Sequence, residues 1–544
     1  MELPRSISFD RNALRYFCDL IDKMEFLEKI TPREYQQKIF ERCREKNCLV
    51  VLPTGLGKTL IALMLSIERM KQFPGEKVLF LAPTKPLVEQ HLDYFKKHLP
   101  ELFGEMNLFT GQINAEARKK LWQNTDIIFS TPQCIANDLK NRLYDLKNVC
   151  LLIEDEAHRC IKNYDYNFVA QKYKEHAQHQ RIIGMTASPG YDKTKIKEIC
   201  KNLSIEEVEL KTRDSDDVKP YLQELEIEKN VIDFPEELDS IRQNLKKLFN
   251  SYIEDIKMRG VFWGNASKIG LIELQKKLMS AVSHGNKNYN YLLAVSSCAI
   301  AVKLQHALEL LETQTLASFN EYLKELFKQA VDKKSKGIVK LVSKPEFSSV
   351  YIKSNELLAK GIEHPKIEEL IKIIDIERFR NEKLKVIVFT QFRDTASVIS
   401  KKLNMIEGIN SKVFVGQAKK VSSKGESTGL NQKEQKKIIQ EFSSGEINVL
   451  CATSIAEEGL DIPEVNIVIF YESVPSAIRK IQRGGRTARL MAGKLIMLIT
   501  KSTRDESFYY VANAREKKMH KTIQEIKDDF VNGKKDFGDV QKTL

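Results

Sequence analysis

The run LVVLPTGLGKTLIAL at residues 49–63 holds the residue types with which a chain wraps a polyphosphate. Gly55 and Gly57 can take backbone angles closed to other residues, so successive N–H groups can converge on one anionic point. Lys58 adds a mobile positive charge and Thr59 a hydroxyl able to ligate a magnesium ion. The helix that follows adds the positive end of its dipole. The loop Leu52, Pro53, Thr54, Gly55, Leu56, Gly57 is therefore read as a cradle for a nucleoside triphosphate. The pattern G-x-x-x-x-G-K-[ST] is only partly met, because Leu52 stands where the first glycine would be. An ordinary strand-to-helix turn is the alternative; the strand before and the helix after favour the cradle.

A second group follows the apolar run VCLLI, as EDEAHR at residues 154–159. A strand would deliver Asp155 to the sheet edge beside the cradle, suited to holding Mg²⁺ through water, with Glu156 placed to orient or deprotonate an attacking water. Acidic pairs after strands also cap helices, and the upstream cradle decides between the two readings.

Positioning these groups requires a parallel sheet. Apolar, β-rich runs at 48–52, 78–82, 126–129, 149–153 and 181–185 alternate with helical stretches and close by about residue 210. A second series occupies 386–389, 412–415, 448–451, 467–470 and 495–499. Strands alternating with helices imply two α/β domains. Residues 231–363 between them show helical spacing instead, as in Leu245, Leu248, Phe249, Tyr252 and Leu304, Ala307, Leu308, Leu311. The expected organisation is an extension at 1–30, an ATP-binding α/β domain at 31–230, a helical insertion at 231–363, a second α/β domain at 364–515, and a helix with a linker or tail at 516–544. Sequence beyond residue 520 fades into polar residues, and 416–429 is a basic, glycine- and serine-rich loop expected to be mobile.

A chain of 544 residues is too long for one ordinary core. Its 42% hydrophobic and 30% charged content reads as globular and soluble. Lys and Arg outnumber Asp and Glu by 87 to 74, for a net charge of +13, which favours a polyanionic partner. Nine cysteines form no C-x-x-C pair and fit no zinc spacing, as expected of free thiols in a reducing compartment. The N-terminus lacks an apolar signal core, and YLLAVSSCAIAV at 291–302 is too short to span a bilayer. An intracellular protein without a membrane role is expected.

Taken together, PTGLGKT at 53–59, DEAH at 155–158, TASPG at 186–190, ATSIAEEGLDIP at 452–463 and QRGGRTAR at 482–489 resemble, in order and spacing, the motifs of superfamily-two helicases. The PREYQ start, the helical insertion, VGQ, NQKEQ and YESVPSAIRKIQR look like the archaeal Hef and FANCM branch, related to the RIG-I-like and Dicer helicases. The resemblance covers Arg33 to about Arg504 and implies two RecA-like motor domains that use ATP and Mg²⁺. Archaeal Hef proteins carry a nuclease domain with an E-R-K-x-x-x-D signature after the helicase. That signature is absent here, so a helicase-only member or a chain cut at the linker is expected.

The resemblance also assigns roles. Arg33 and Gln36 would read the adenine; Lys58 would hold the β- and γ-phosphates; Thr59 and Asp155 would hold Mg²⁺; Glu156 would activate water. Thr186 and Ser188 would couple hydrolysis to the nucleic-acid track, and His158 would bridge the motor domains by hydrogen bonding. Gln482 would help position the water, Arg486 and Arg489 would act as arginine fingers, and Asp461 would lie near the ribose or the fingers. Family members usually have glycine where this chain has Ala488. Thr84, Lys85, Thr110, Gly111, Thr131 and Pro132, with Thr390, Gly416 and Thr453, resemble the loops that hold a nucleic-acid backbone. Trp263 and the tyrosines of NYNYLL could stack on a base, though core packing is the commoner fate of such aromatics.

The resulting expectation is an ATP-dependent DNA translocase and helicase at forked and branched DNA, moving 3′ to 5′, with the insertion sensing the junction. A nuclease or replication clamp would be its partner and the nucleoid its location. An RNA-directed motor of the RIG-I or Dicer kind, and a scaffold that binds ATP without turnover, are the rivals.

Overall fold

The computed structural model describes residues 31–531, apart from 100–102, 263, 265, 285–287, 418–428, 457–461, 477–478, 480–482, 484–486 and 488–491. Trp263 and the core of the basic loop at 416–429 therefore lie outside the described residues.

In the first domain, seven strands pair in parallel: β1 (Cys48–Val51), β2 (Lys77–Leu81), β3 (Met106–Phe109), β4 (Ile127–Ser130), β5 (Val149–Asp155), β6 (Ile182–Thr186) and β7 (Glu207–Leu210). Their order is β3-β4-β2-β5-β6-β1-β7. β1, β4, β5 and β6 are buried along their whole length, as helices on both faces require, which is why they read as unbroken apolar runs. Helix α1 (Glu34–Glu45) precedes β1, and the crossovers are α2 (Lys58–Gln72), α3 (Lys85–His98), α4 (Ala115–Asn124), α5 (Pro132–Lys140), α6 (Asp165–His176) and α7 (Lys193–Asn202).

A strand outside the expected series, β8 (Leu225–Ile232), joins the second sheet with β9 (Val386–Phe389), β10 (Ser411–Phe414), β11 (Val449–Ala452), β12 (Ile467–Phe470) and β13 (Gly493–Thr500). The order is β10-β11-β9-β12-β13-β8, all parallel. This corrects the boundary at residue 230. β8 is an edge strand with Ile227 and Val231 exposed, so LEIEKNVI alternates charge with apolar residues instead of running apolar. β3 and β7 are also edge strands whose short MNLF and EVEL sequences carry weak signals.

Between the sheets stand α8 (Glu236–Met258), α9 (Lys268–Ser283), α10 (Tyr289–Thr313), α11 (Leu316–Val331), α12 (Lys336–Val342) and α13 (Pro345–Ala359). Leu238, Ile241, Leu245, Leu248 and Tyr252 form the buried stripe of α8 against Leu304, Ala307, Leu308 and Leu311 of α10. α10 corrects the sequence expectation. It runs for 25 residues, long and apolar enough to cross a membrane by length and composition, and much of it is buried inside this bundle. Its Glu309 pairs with Lys268 of α9 at 2.7 Å. Tyr289, a candidate core aromatic, is exposed.

α14 (Pro365–Arg380) leads into the second sheet, with α15 (Arg393–Leu403) and α16 (Gln432–Ser444) among its crossovers. The final described helix, α17 (Arg504–Val531), is continuous through the expected 515/516 boundary, and the rest of the expected tail, 532–544, lies outside the described residues. Met519, Ile523 and Ile526 are buried in the core of the first domain beside Ile196 and Val208. These apolar residues are thinly spread among charges, so a helix with a narrow buried stripe looked like a fading tail.

Candidate active site and nucleic-acid interface

The cradle forms where β1 ends and α2 begins. Gly55 has φ +86° and Gly57 φ +76°. A Cβ on Gly57 would stand 2.2 Å from Gln36 Nε2, so this position needs both the conformation and the size of glycine. Lys58 Nζ folds back to donate to the Leu52 carbonyl at 2.9 Å. Gln36 is buried on α1: its Oε1 accepts from Arg33 N at 2.8 Å, and its Nε2 donates to the Leu56 carbonyl at 3.0 Å. Tyr35 OH donates to the same carbonyl at 2.9 Å. Each end of the Gln36 amide retains capacity for one further bond, so it braces the cradle while remaining able to meet a base edge. Arg33 lies over the Tyr221 ring, 5.2 Å from its centroid.

Beside the cradle, β5 ends at Asp155, and Glu156 follows at φ +52°, a left-handed conformation uncommon outside glycine that concentrates at functional sites. Asp155 is buried and its Oδ2 accepts from His91 Nε2 at 2.8 Å. Burial pushes this carboxyl up, but the His91 ring and the Lys58 ammonium more than offset that, leaving it below the usual carboxylate range. Glu156 Oε2 is buried and accepts no hydrogen bond, although His158 Nδ1 lies 3.2 Å away. An orphaned carboxylate oxygen, a cradle whose Gly57 leaves no room for a Cβ and an anionic Asp155 near a lysine together fit a magnesium-bound nucleotide.

His158 Nδ1 also lies 3.2 Å from Thr186 Oγ1, and Thr186 Oγ1 donates to the Ser188 carbonyl at 3.1 Å. These contacts lie within the first domain; the bridge to the second domain expected of His158 is not among them. Ser188 Oγ in turn donates to Met519 Sδ of α17 at 2.8 Å, both buried. Nothing in the sequence ties residue 519 to residue 188.

Parallel topology sorts the remaining residues. Because all strands run the same way, their following loops share one sheet edge. Loops after β1, β5 and β6 carry the cradle, Asp155–Glu156 and Thr186–Ser188. Loops after β2, β4 and β3, the other half of the sheet, carry Thr84–Lys85, Thr131–Pro132 and Thr110–Gly111. In the second sheet, Thr390, Gly416 and Thr453 follow the neighbouring strands β9, β10 and β11. The proposed backbone-holding residues thus fall on one half of each sheet, which in the first sheet is the half away from the cradle.

They are not equally available. Thr84 and Gly111 are exposed, and Lys85, Thr131 and Gly416 are half-buried. Thr110, Pro132 and Thr453 are buried. Thr390 is sealed from solvent, and its hydroxyl donates to Gln314 Oε1 at 3.3 Å. Gln482, Arg486, Arg489, Ala488 and Asp461 lie outside the described residues.

Several groups escaped sequence reasoning. Gln314, at the turn between α10 and α11, donates to Glu472 Oε2 at 3.3 Å. Glu472 Oε1 lies 3.5 Å from Nη1 of the fully buried Arg483, which sits next to Gln482 in sequence. Burial raises the Glu472 carboxyl despite Arg483 and Lys366 nearby. Lys366, at the start of α14, pairs with Asp505 at the start of α17, and neither side chain is exposed. Across the two domains, Lys436 of α16 meets Glu89 of α3 at 3.0 Å. Charged residues separated by tens to hundreds of positions carry no local pattern that would join them.

Comparison with known proteins places three families along the chain: DEAD/DEAH box helicase over residues 33–196, a helical bundle described for an ATP-dependent RNA helicase over 236–358, and the helicase conserved C-terminal domain over 365–491. The crystal structure of the Pyrococcus furiosus Hef helicase domain is similar at 40% identity, covering 89% of this chain and 98% of that one, with a TM-score of 0.67. A Methanocaldococcus jannaschii protein carrying the name of an ATP-dependent RNA helicase is 38% identical over 91% of this chain and 61% of its own length. The ATP-dependent DNA helicase mph1 of Sclerotinia sclerotiorum is 32% identical over 88% of this chain and 40% of its own. The chain thus spans about three fifths or less of the length of these two relatives.

Proposed function

The chain belongs to the Hef branch of the DEAD/DEAH-box helicases, and from that premise we propose that it is an ATP-driven DNA helicase of repair, acting on forked or branched DNA. The observation that carries the reading is the division of the first domain's parallel sheet edge. The residues expected to handle the nucleotide follow β1, β5 and β6, and those expected to hold the backbone follow β2, β3 and β4. A motor needs both on one rigid body.

Magnesium-bound ATP would supply the phosphoanhydride whose hydrolysis drives the cycle, with Thr59 and Asp155 holding the metal and Lys58 the phosphate charge. Glu156 Oε2, which accepts no hydrogen bond, would take the proton of the attacking water. His158 Nδ1 lies 3.2 Å from that carboxylate and equally near Thr186 Oγ1, which in turn donates to the Ser188 carbonyl. From Ser188 the chain of contacts reaches Met519 on α17, whose first turn is anchored in the second domain through Asp505. Closure of the two domains would bring Gln482, Arg486 and Arg489 to the triphosphate, making hydrolysis conditional on the track being occupied. Direction 3′ to 5′, the insertion as junction sensor, and a nuclease or clamp partner inside the cell complete the proposal.

The names of the M. jannaschii relative and of the helical-bundle family favour RNA as a second reading. Steady-state ATP hydrolysis with no nucleic acid, single-stranded DNA, a DNA fork, a four-way junction and double-stranded RNA separates the two. The fork is expected to stimulate most; stimulation by RNA alone would transfer the protein to the RNA-directed motors, and no stimulation would leave a scaffold.

Loops that grip phosphates without reading bases displace counterions, so DNA affinity should fall linearly on a log–log plot against salt. Fluorescence anisotropy of a labelled oligonucleotide across a salt series measures the slope. An affinity indifferent to salt would contradict backbone tracking.

A further inference from the structure

Helix α3 carries a histidine that the sequence reading did not use. Its buried stripe is Leu87, Val88, His91, Leu92 and Phe95, so His91 occupies a position where an apolar side chain would complete the packing. The ring lies against Phe80 of β2, with centroids 4.4 Å apart, and Nε2 donates to Asp155 Oδ2 at 2.8 Å. Both side chains are more than nine-tenths buried. Tyr166 OH donates to the Asp155 carbonyl at 2.6 Å, so main chain and carboxylate are each fixed by a separate partner. With Oδ2 committed to His91, Oδ1 is the oxygen left for a metal-bound water.

The helix that holds His91 also reaches the other half of the sheet edge. Its N-cap is Thr84 and its first residue Lys85, whose Nζ donates to Gln112 Oε1 at 2.8 Å. Glu89, between Lys85 and His91 in sequence, meets Lys436 of the second domain. At 1.5 Å per residue, Lys85 and His91 stand about 9 Å apart along one rigid rod.

We propose that His91 is the positioning residue for the Asp155 carboxylate, and so the side chain through which α3 reaches the metal site. The inference rests on the reading of Asp155 as the magnesium-holding carboxylate. Groups that orient a metal-holding carboxylate from behind typically contribute ten- to a hundredfold to metal affinity. Leucine at 91 fills the apolar stripe but cannot donate; glutamine can present an N–H from a similar reach.

The test is the binding of fluorescent methylanthraniloyl-ADP to the full chain across a magnesium series and in EDTA, for the unaltered protein, His91→Leu, His91→Gln and Asp155→Asn. His91→Leu is expected to keep its metal-free nucleotide affinity but lose the metal-dependent gain by about tenfold or more, with His91→Gln restoring most of it. Loss of metal-free affinity by the same factor would reveal a packing role and overturn the inference. So would a full metal-dependent gain in His91→Leu when Asp155→Asn has lost it. If Asp155→Asn itself keeps the gain, the magnesium reading of Asp155 falls first and the inference with it.

Discussion

Glu156→Gln is expected to lower the turnover number of ATP hydrolysis by about 10²- to 10⁴-fold while leaving nucleotide binding close to unchanged. Glutamine matches glutamate in size, so the left-handed backbone at φ +52° and the neighbouring His158 keep their places. What disappears is an oxygen that can receive a proton. Glu156 Oε2 accepts no hydrogen bond in the structure, so replacement breaks no packing that would otherwise confuse the result. The loss corresponds to roughly 3 to 5 kcal/mol of transition-state stabilisation. Single-turnover hydrolysis beside methylanthraniloyl-ATP binding measures both quantities. A turnover number within tenfold of the unaltered protein would remove Glu156 from the role of base.

The second large effect concerns stability. Lys366→Met should destabilise the junction between the insertion and the second domain by about 3 to 5 kcal/mol, because it leaves a buried carboxylate without its counter-charge. Lys366 Nζ also donates to the Tyr471 carbonyl at 2.8 Å and to the Thr313 carbonyl at 3.3 Å. Asp505 accepts from Ser473 N at 2.7 Å and Thr500 N at 3.0 Å. One ion pair therefore gathers α10, α14, β12, β13 and α17. Adding Asp505→Asn removes the stranded charge, so the double variant should recover part of the loss, and the cycle isolates the pair. Hydrogen exchange at the Ser473 and Thr500 amides reports the local opening. Protection unchanged in Lys366→Met would show that the pair does not hold the junction.

The cradle, the acidic pair and most interior strands were legible in the sequence for a common reason: each is a local pattern. A strand buried on both faces must be apolar throughout, and phosphate binding needs glycines next to a lysine at fixed spacing. Edge strands broke the rule. Ile227 and Val231 of β8 face solvent, so that strand has no apolar run, and its pairing with β13 carries residues expected in the first domain and at the start of the insertion into the second sheet. The packing of α17 was hidden for a similar reason, since its contact with the first-domain core rests on Met519, Ile523 and Ile526 spread among charged residues.

Sequence alone determined the family, the two parallel sheets with a helical insertion, and the residue types at the phosphate cradle and the acidic pair. Tertiary structure decided which side chains stand behind them. It placed His91 on Asp155, Gln314 on Thr390 and Glu472, Met519 on Ser188, and Lys366 on Asp505. Each of these contacts depends on where helices pack and strands cross over. A hydrogen bond or ion pair is decided within about 3 Å, and no spacing along the chain encodes proximity at that scale between residues so far apart in sequence.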